Sequence, residues 1–316
     1  MSFIGQEHII EFLKNQLNLK NRLVQSFLFI GEKSLGKATL AQLFSKSILC
    51  EKKQWLGCNQ CQSCQAFDKN YHPDFFFLNR SLERNSLGIE NAQEVIKFLS
   101  YRPQFSSLKI AIINEAEYLT PEAQNSLLKI LEEPPVDSLI ILITSELQRI
   151  RLTLLSRLLI LRFKNVAPSQ ISHWLISQYQ LSEEKARFIS YLSQGRPGLA
   201  VSILADKNFL KEAETSKKIL EKIIKNPFVV KSQLLKNILD DNPNLDFYFN
   251  QWLAWNRDSL LKELSLNEYC FNFQAPDLPL NFHDRVKLLK QLQKGRALLK
   301  EHPLNSLLLL ENIFLT

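Results

Sequence analysis

The chain has 316 residues, 45% hydrophobic and 22% charged, ordinary for a soluble globular protein of two or three domains with a sizeable core. No apolar run reaches the roughly 18 residues of a membrane span, and the N-terminus has neither a basic segment nor an apolar signal core, so the expectation is a cytoplasmic protein with no membrane partner. Thirty-nine Lys and Arg against 32 Asp and Glu leave +7, a diffuse surplus that suits a solvated basic surface as well as a nucleic-acid partner.

In chain order, Gln6 to Lys20 places Ile9, Ile10, Leu13, Leu17 and Leu19 at helical spacing, an amphipathic helix. The apolar run Phe27-Leu28-Phe29-Ile30 then breaks into Gly31-Glu32-Lys33-Ser34-Leu35-Gly36-Lys37, and a helical pattern continues to Leu49. This is the order strand, phosphate loop, helix. The spacing G-x-x-x-x-G-K lets backbone N–H groups curl around phosphate oxygens, the lysine reach the β/γ end and the helix present its positive pole. With only eight glycines in the chain, two at this spacing are informative. The motif normally closes with a hydroxyl that ligates Mg²⁺, and here that position is Ala38. Thr39 is no substitute, because one residue along a helix turns the side chain by about 100°.

Further along, Asp74 to Leu78, Leu108 to Ile113, Leu139 to Ile143 and Leu158 to Phe163 have the length and composition of buried strands. Between them lie helical patterns at Ile89 to Tyr101, with Ile89, Val95, Ile96 and Leu99 inward and Pro103 as a stop, and at Pro121 to Leu131, with proline in its first turn. Apolar strands that alternate with helices predict an α/β fold, a parallel sheet covered on both faces. From Pro168 no strand pattern remains. Helical blocks at Ser169 to Gln178, Glu183 to Ser193 and Pro197 to Leu204 lead to a charged stretch at Asp206-Lys207, and longer helices follow with breaks at Pro227, Pro243, Gln274 to Pro279 and Pro303. The expected division is an α/β domain over 1–165, a helical lid over 166–206 and a helical C-terminal domain over 207–316.

Five cysteines in a reducing compartment are not read as disulfides, and four of them cluster. Cys50, Cys58, Cys61 and Cys64 give C-x7-C-x2-C-x2-C, with Gly57 and Asn59 able to form tight turns. Four thiolates can close a tetrahedron around Zn²⁺ at about 2.3 Å per bond and leave no open position, so the expected site, over 50–64, is structural rather than catalytic. An iron–sulfur cluster would want a fourth cysteine behind the triplet. A metal-free reduced cluster is the other reading, and His72 is a candidate competing ligand, although a His just before Pro at a strand entrance is more often simply a polar boundary residue. Cys270 stands alone and reads as a core residue.

Lys109-Ile110-Ala111-Ile112-Ile113-Asn114-Glu115-Ala116-Glu117 has the form of the second nucleotide motif, a buried strand that delivers carboxylates at its C-terminal end. The first acid would hold the Mg²⁺ shell and the second would act on the attacking water. Neutral Asn114 occupies the first place and Glu115 the second, so two positions that serve the metal are changed together.

These motifs, with His72-Pro73-Asp74, Asn125-Ser126-Leu127-Leu128-Lys129-Ile130-Leu131-Glu132-Glu133-Pro134-Pro135, Leu142-Ile143-Thr144-Ser145 and Leu155-Ser156-Arg157-Leu158 in this order, resemble bacterial DNA polymerase III clamp-loader subunits of the AAA+ class, delta-prime type, over roughly residues 1 to 205. The resemblance implies an AAA+ nucleotide-binding domain with a zinc-binding insertion, a helical lid and an all-α collar domain. It implies a hetero-pentameric ring with gamma/tau-like ATPase subunits and a delta-like subunit, acting on a sliding clamp and primer–template DNA. It places Thr144 where the family senses the γ-phosphate, and Arg157 where an arginine enters the neighbouring subunit's nucleotide site, although Leu158 replaces the family's cysteine. The lid's second sensing arginine falls on Gly198, counted from Gly195, with Arg196 out of register. Ala38, Asn114 and Gly198 would all weaken hydrolysis by this chain, while the group that acts on a partner's ATP survives. The implied role is a non-motor component of a DNA-directed DNA polymerase holoenzyme, a nucleotidyltransferase complex, with no ATPase or polymerase activity of its own. An active gamma/tau-like ATPase is the alternative. A zinc-dependent DNA-binding module is disfavoured, because the cysteines sit inside an α/β domain rather than beside a recognition helix. Gly31, Gly36, Lys37, Glu115 and Thr144 would form a degenerate ATP/ADP site, and an occupied and an empty loop are both compatible with the sequence. Helix N-termini near Ile89-Glu90-Asn91, and Arg102, are candidates for phosphate contact by family analogy only.

Overall fold

Five short apolar segments form one all-parallel sheet in the computed structural model, which describes residues 3–18, 23–80, 86–240, 245–266, 279–301 and 306–314. Helix α1 (Glu7–Asn18) leads to β1 (Ser26–Ile30), α2 (Lys37–Leu49), α3 (Gln62–Asp68), β2 (Phe75–Leu78), α4 (Ile89–Ser100), β3 (Lys109–Ile113), α5 (Pro121–Glu132), β4 (Ser138–Thr144), α6 (Leu152–Leu155) and β5 (Leu159–Arg162). The strand order is β2-β3-β4-β1-β5, with Phe27 opposite Ile141 and Leu159, and Ile110 opposite Leu139.

Successive strand residues face opposite sides of a sheet, and here both sides are covered. Phe27, Phe29, Ile110, Ile112, Leu139 and Ile141 pack with α1 and α2, while Leu28, Ala111, Ile113, Ile140 and Leu142 pack with α4 and α5. The covering weakens at the edges. Leu159 of β5 is 38% exposed, and Phe75, Phe76 and Phe77 of β2 are half-buried, because each edge strand has one neighbour only.

The inward stripe of α4 differs from the sequence expectation. Ala92, Val95 and Leu99 are buried, Ile96 is half-buried, and Ile89 is 41% exposed. Helical side chains lean toward the N-terminus, so Ile89, the first residue, overhangs the end of the helix instead of the core. In α1, Ile9 and Leu13 are buried and Ile10 and Leu17 are partly so. Leu19, Pro243, Cys270, Pro303 and most of the expected break at Gln274 to Pro279 lie outside the described residues.

The remaining helices are α7 (Pro168–Tyr179), α8 (Glu183–Leu192), α9 (Pro197–Ala205), α10 (Lys207–Lys225), α11 (Phe228–Asp240), α12 (Leu245–Glu263), α13 (Phe282–Glu301) and α14 (Ser306–Phe314). The chain forms two compact units, Met1–Gln170 with Gly195–Leu199, and Ile171–Gln194 with Ala200–Thr316. In the second, Phe249, Trp252 and Trp255 of α12 are buried, Trp252 meets Phe314 edge-on at 5.4 Å, and its indole N–H donates to Ser216 O at 3.2 Å. Among the described residues no helix is long and apolar enough to cross a membrane.

Candidate functional site

The phosphate loop leaves the C-terminal end of β1 at Gly31 and enters α2 at Lys37. Gly36, the cap of α2, has φ of 86°, and a Cβ there would lie 2.8 Å from the Phe3 ring, so glycine is required twice over. Lys37 is turned into the loop itself. Its Nζ donates to Gly31 O and to Glu32 O, each at 2.6 Å, and the residue is 7% exposed. Burial lowers the pKa of this ammonium to about 8, against the opposing pull of Glu117. Ala38 packs against the core beneath α2, while Thr39 is exposed, so the neighbouring hydroxyl does not stand in for the missing one.

At the ends of β3 and β4 the expected groups are brought close in the fold but spent on other partners. Asn114 Nδ2 donates to Asn79 Oδ1 at 3.0 Å. Glu115, with φ of 53°, pairs with Arg80 at 3.3 Å and Lys33 at 3.9 Å. Thr144 is buried, and its hydroxyl exchanges hydrogen bonds with the backbone of Glu146, accepting at 3.1 Å and donating at 3.3 Å. Glu117, to which the sequence reading gave no role, is 5% exposed and accepts from the Ser145 hydroxyl at 2.6 Å, tying β3 to β4. It is also the carboxylate that acts most strongly on Lys37, ahead of Glu32. Its signal in the sequence was only a second acid two places after Glu115. Arg80, Lys33 and Arg149 surround the Tyr118 ring at 4.3, 5.8 and 5.9 Å, a grouping that no local spacing announces. Gly198 N–H donates to Ser34 O at 2.8 Å, and a Cβ at 198 would lie 2.9 Å from that oxygen, so this backbone rests directly on the phosphate loop.

Arg157 follows α6. Its Nη2 lies 2.6 Å from Glu132 Oε1, and its Nη1 donates to Thr153 O at 2.5 Å and to Ser156 Oγ at 3.1 Å. About a third of the side chain, 32%, is exposed.

The four cysteines converge from the end of α2, the following loop and the start of α3. Their sulfurs lie within 4.8 Å of one another, with Cys58 and Cys64 4.0 Å apart. A tetrahedron with bonds of about 2.3 Å sets its corners roughly 3.8 Å apart, so the donor set fits a metal such as zinc. Backbone N–H groups of Cys58, Cys61 and Cys64 point at Cys50, Cys58 and Cys61 sulfurs at 3.3–3.4 Å. The backbone N–H groups of Gln60 and Cys61 lower the Cys58 thiol to about 6, and burial pushes Cys64 up to about 12. Gly57, at φ of 78°, carries no Cβ because one would lie 2.9 Å from Cys64 Sγ and from Lys46 Cε. Lys46 braces the module from α2, its Nζ 2.6 Å from both Asn59 and Asp68.

His72 is not a ligand in this arrangement. The Asp74 N–H donates to Nδ1 at 3.1 Å, which puts the proton on Nε2, 2.7 Å from Ser63 Oγ, and that hydroxyl donates to Leu49 O at 2.7 Å. The imidazole therefore joins α2 and α3 to the entrance of β2. Asp74 extends the joint. Burial raises its pKa, yet the N–H groups of Gln104, Phe105 and Ser106, at 2.7–2.9 Å, outweigh that and hold it below the usual carboxylate range. Burial also lowers the His72 pKa below 6.5. With the folded value the lower one, the unfolded chain binds the extra proton first, so this contribution is complete above pH 6.5 and is lost as pH falls toward the folded value. Thermal melting between pH 8 and pH 5 should thus fall more steeply for the parent than for His72→Gln; parallel curves would remove His72 from the account.

A family model described as DNA polymerase III, delta subunit, matches residues 5–167. The DNA polymerase III delta' subunit of Bacillus subtilis is 28% identical over 270 residues, 83% of this chain and 74% of that one. The delta' subunit of Escherichia coli is 31% identical over 179 residues, 55% of this chain and 53% of that one. The tau/gamma subunit of Haemophilus influenzae is 28% identical over 251 residues, 78% of this chain but 34% of that one, so the chain spans about a third of that relative's length. A solved structure of a DNA polymerase III gamma subunit-related protein from Thermotoga maritima aligns over 97% of both chains, with a TM-score of 0.41 and 17% identity. Because the family match takes in more than half of the 316 residues, phosphate loop and cysteine cluster included, the chain belongs to the DNA polymerase III delta subunit family, as a subunit of the delta-prime type.

Proposed function

We propose that this chain is a non-motor subunit of a DNA polymerase III clamp loader, which helps to place a sliding clamp on primed DNA and supplies Arg157 to the ATP site of a neighbouring subunit. The observation that carries the reading is Lys37 held by the carbonyls of its own loop, beside Ala38 and Asn114 where metal-serving groups would stand. These residues do not fit Mg–ATP. A hydroxyl and a carboxylate for the metal are missing together, and Gly198 leaves no room for a sensing side chain against Ser34. Arg157, by contrast, follows α6 with about a third of its side chain exposed, where it is open to a neighbouring chain.

Within this reading 1–165 is the nucleotide-binding module, 166–206 the lid and 207–316 the assembly domain of a hetero-pentameric ring with gamma/tau-like and delta-like subunits. Cys50, Cys58, Cys61 and Cys64 would hold Zn²⁺, which closes the module and takes no part in chemistry. Arg157 would stabilise charge on the transferred phosphoryl group of the partner's ATP.

The isolated chain should hydrolyse ATP no faster than buffer, and should co-purify with a gamma-like ATPase, a delta-like subunit and a clamp. A monomer that ignores all three overturns the proposal. The second reading, a working ATPase, draws on the intact G-x-x-x-x-G-K spacing and on the tau/gamma relatives. Steady turnover by the unmodified chain, abolished by Lys37→Ala, would establish it instead.

A further inference from the structure

We infer that Glu132 is a positioning residue for Arg157, holding the guanidinium in the orientation in which it meets the neighbouring subunit's nucleotide; the inference rests on the trans role proposed above. Glu132 is the last residue of α5, and its Oε1 lies 2.6 Å from Arg157 Nη2. The carboxylate thus adds a full charge at the negative pole of a twelve-residue helix, where a cation is favoured. On the other side, the carbonyl of Thr153 accepts from Nη1 at 2.5 Å. Ser156 Oγ completes the seat, donating to the same carbonyl at 3.0 Å and accepting from Nη1 at 3.1 Å.

A guanidinium is planar and its donors are fixed in a fork, so acceptors on two edges set its plane and its direction together. All of these acceptors belong to one compact unit, to α5, to α6 and to the residue that caps α6. The pair is open to solvent, with half of the Glu132 side chain exposed, and such pairs contribute little to folding. Its consequence is geometric. An arginine supplied across an interface acts only if its N–H groups already point at the developing charge, and preorganisation by neighbouring side chains is what keeps them there.

The test uses the assembled complex with clamp and primed DNA, comparing the parent, Glu132→Gln, Arg157→Ala and the double variant. Glutamine keeps the shape and removes the charge. Glu132→Gln should reduce turnover at the site facing this chain by about 3–10-fold, that is, remove roughly 70–90% of what Arg157→Ala removes, with kcat affected and KM for ATP unchanged. The double variant should match Arg157→Ala, and melting of the isolated chain should not move. If Glu132→Gln turns over at the parental rate or faster while Arg157→Ala is impaired, Glu132 does not position the arginine and the trans role stands without it. Additive losses in the double variant also overturn the inference, since Glu132 would then act elsewhere. If Arg157→Ala is itself parental, the trans role fails and the inference with it.

Discussion

Arg157→Ala is expected to lower the DNA- and clamp-stimulated ATPase of the assembled complex at the one site that this chain faces, and to slow clamp loading more than total turnover. An arginine supplied in trans to phosphoryl transfer is worth roughly 10³–10⁵ in rate in well-studied cases. In the proposed ring the other sites would keep their own arginines, so the total should fall only in part, whereas loading would need the sites to act together. Folding should hardly notice. The ion pair with Glu132 is half open to solvent, and such pairs contribute about 0–1 kcal/mol. Assembly and zinc content should match the parent. A mutant complex that loads clamps at the parental rate would make the 2.6 Å pair with Glu132 the whole of Arg157's role.

Removal of the metal should have the largest effect on the fold. Protein prepared without added zinc is expected to carry about one zinc per chain, and Cys58→Ser to lose most of it. Closed zinc sites contribute folding energy directly, and for a chain of this size a loss of several kcal/mol corresponds to a melting point lower by on the order of 5–10 °C. The damage should be local. α3 and the loop from Cys50 to Cys61 are held by Lys46 and the His72–Ser63 hydrogen bond and would be held further by the metal, while the sheet has its own apolar cover on both faces. Hydrogen exchange should therefore accelerate over 50–68 and stay slow in β1, β3 and β4. Full zinc retention with unchanged melting in Cys58→Ser would refute the metal assignment.

The four-cysteine cluster was legible because its chemistry is carried by residue type and short spacing. The same holds for the phosphate loop, since G-x-x-x-x-G-K between an apolar run and a helix is a local pattern. Strand and helix positions followed from hydrophobic period, and the parallel sheet from their alternation; β1, β3 and β4 are the apolar runs in which every residue is buried. The substitutions at 38 and 114 were equally plain, being absences at known places in a motif.

Long-range partners were not legible. No spacing joins Glu117 to Ser145, Arg157 to Glu132, or His72 to Ser63, because each pair meets only after strands and helices from different parts of the chain have packed. His72 shows the difference most clearly. The sequence left it between a competing metal ligand and a polar residue at a strand entrance, and the fold engages both ring nitrogens with Asp74 and Ser63, so that it joins the cysteine module to the sheet. The exposure of Ile89 and the edge position of β5 have the same cause. Periodicity tells which residues are apolar, but which of them are covered depends on where helices end and which strand has a neighbour on both sides. Residue chemistry and local spacing thus determined the elements and the kinds of site this protein carries. Tertiary packing alone decided what each charged or polar side chain faces, because a buried polar group takes whatever partner the fold brings within hydrogen-bond reach.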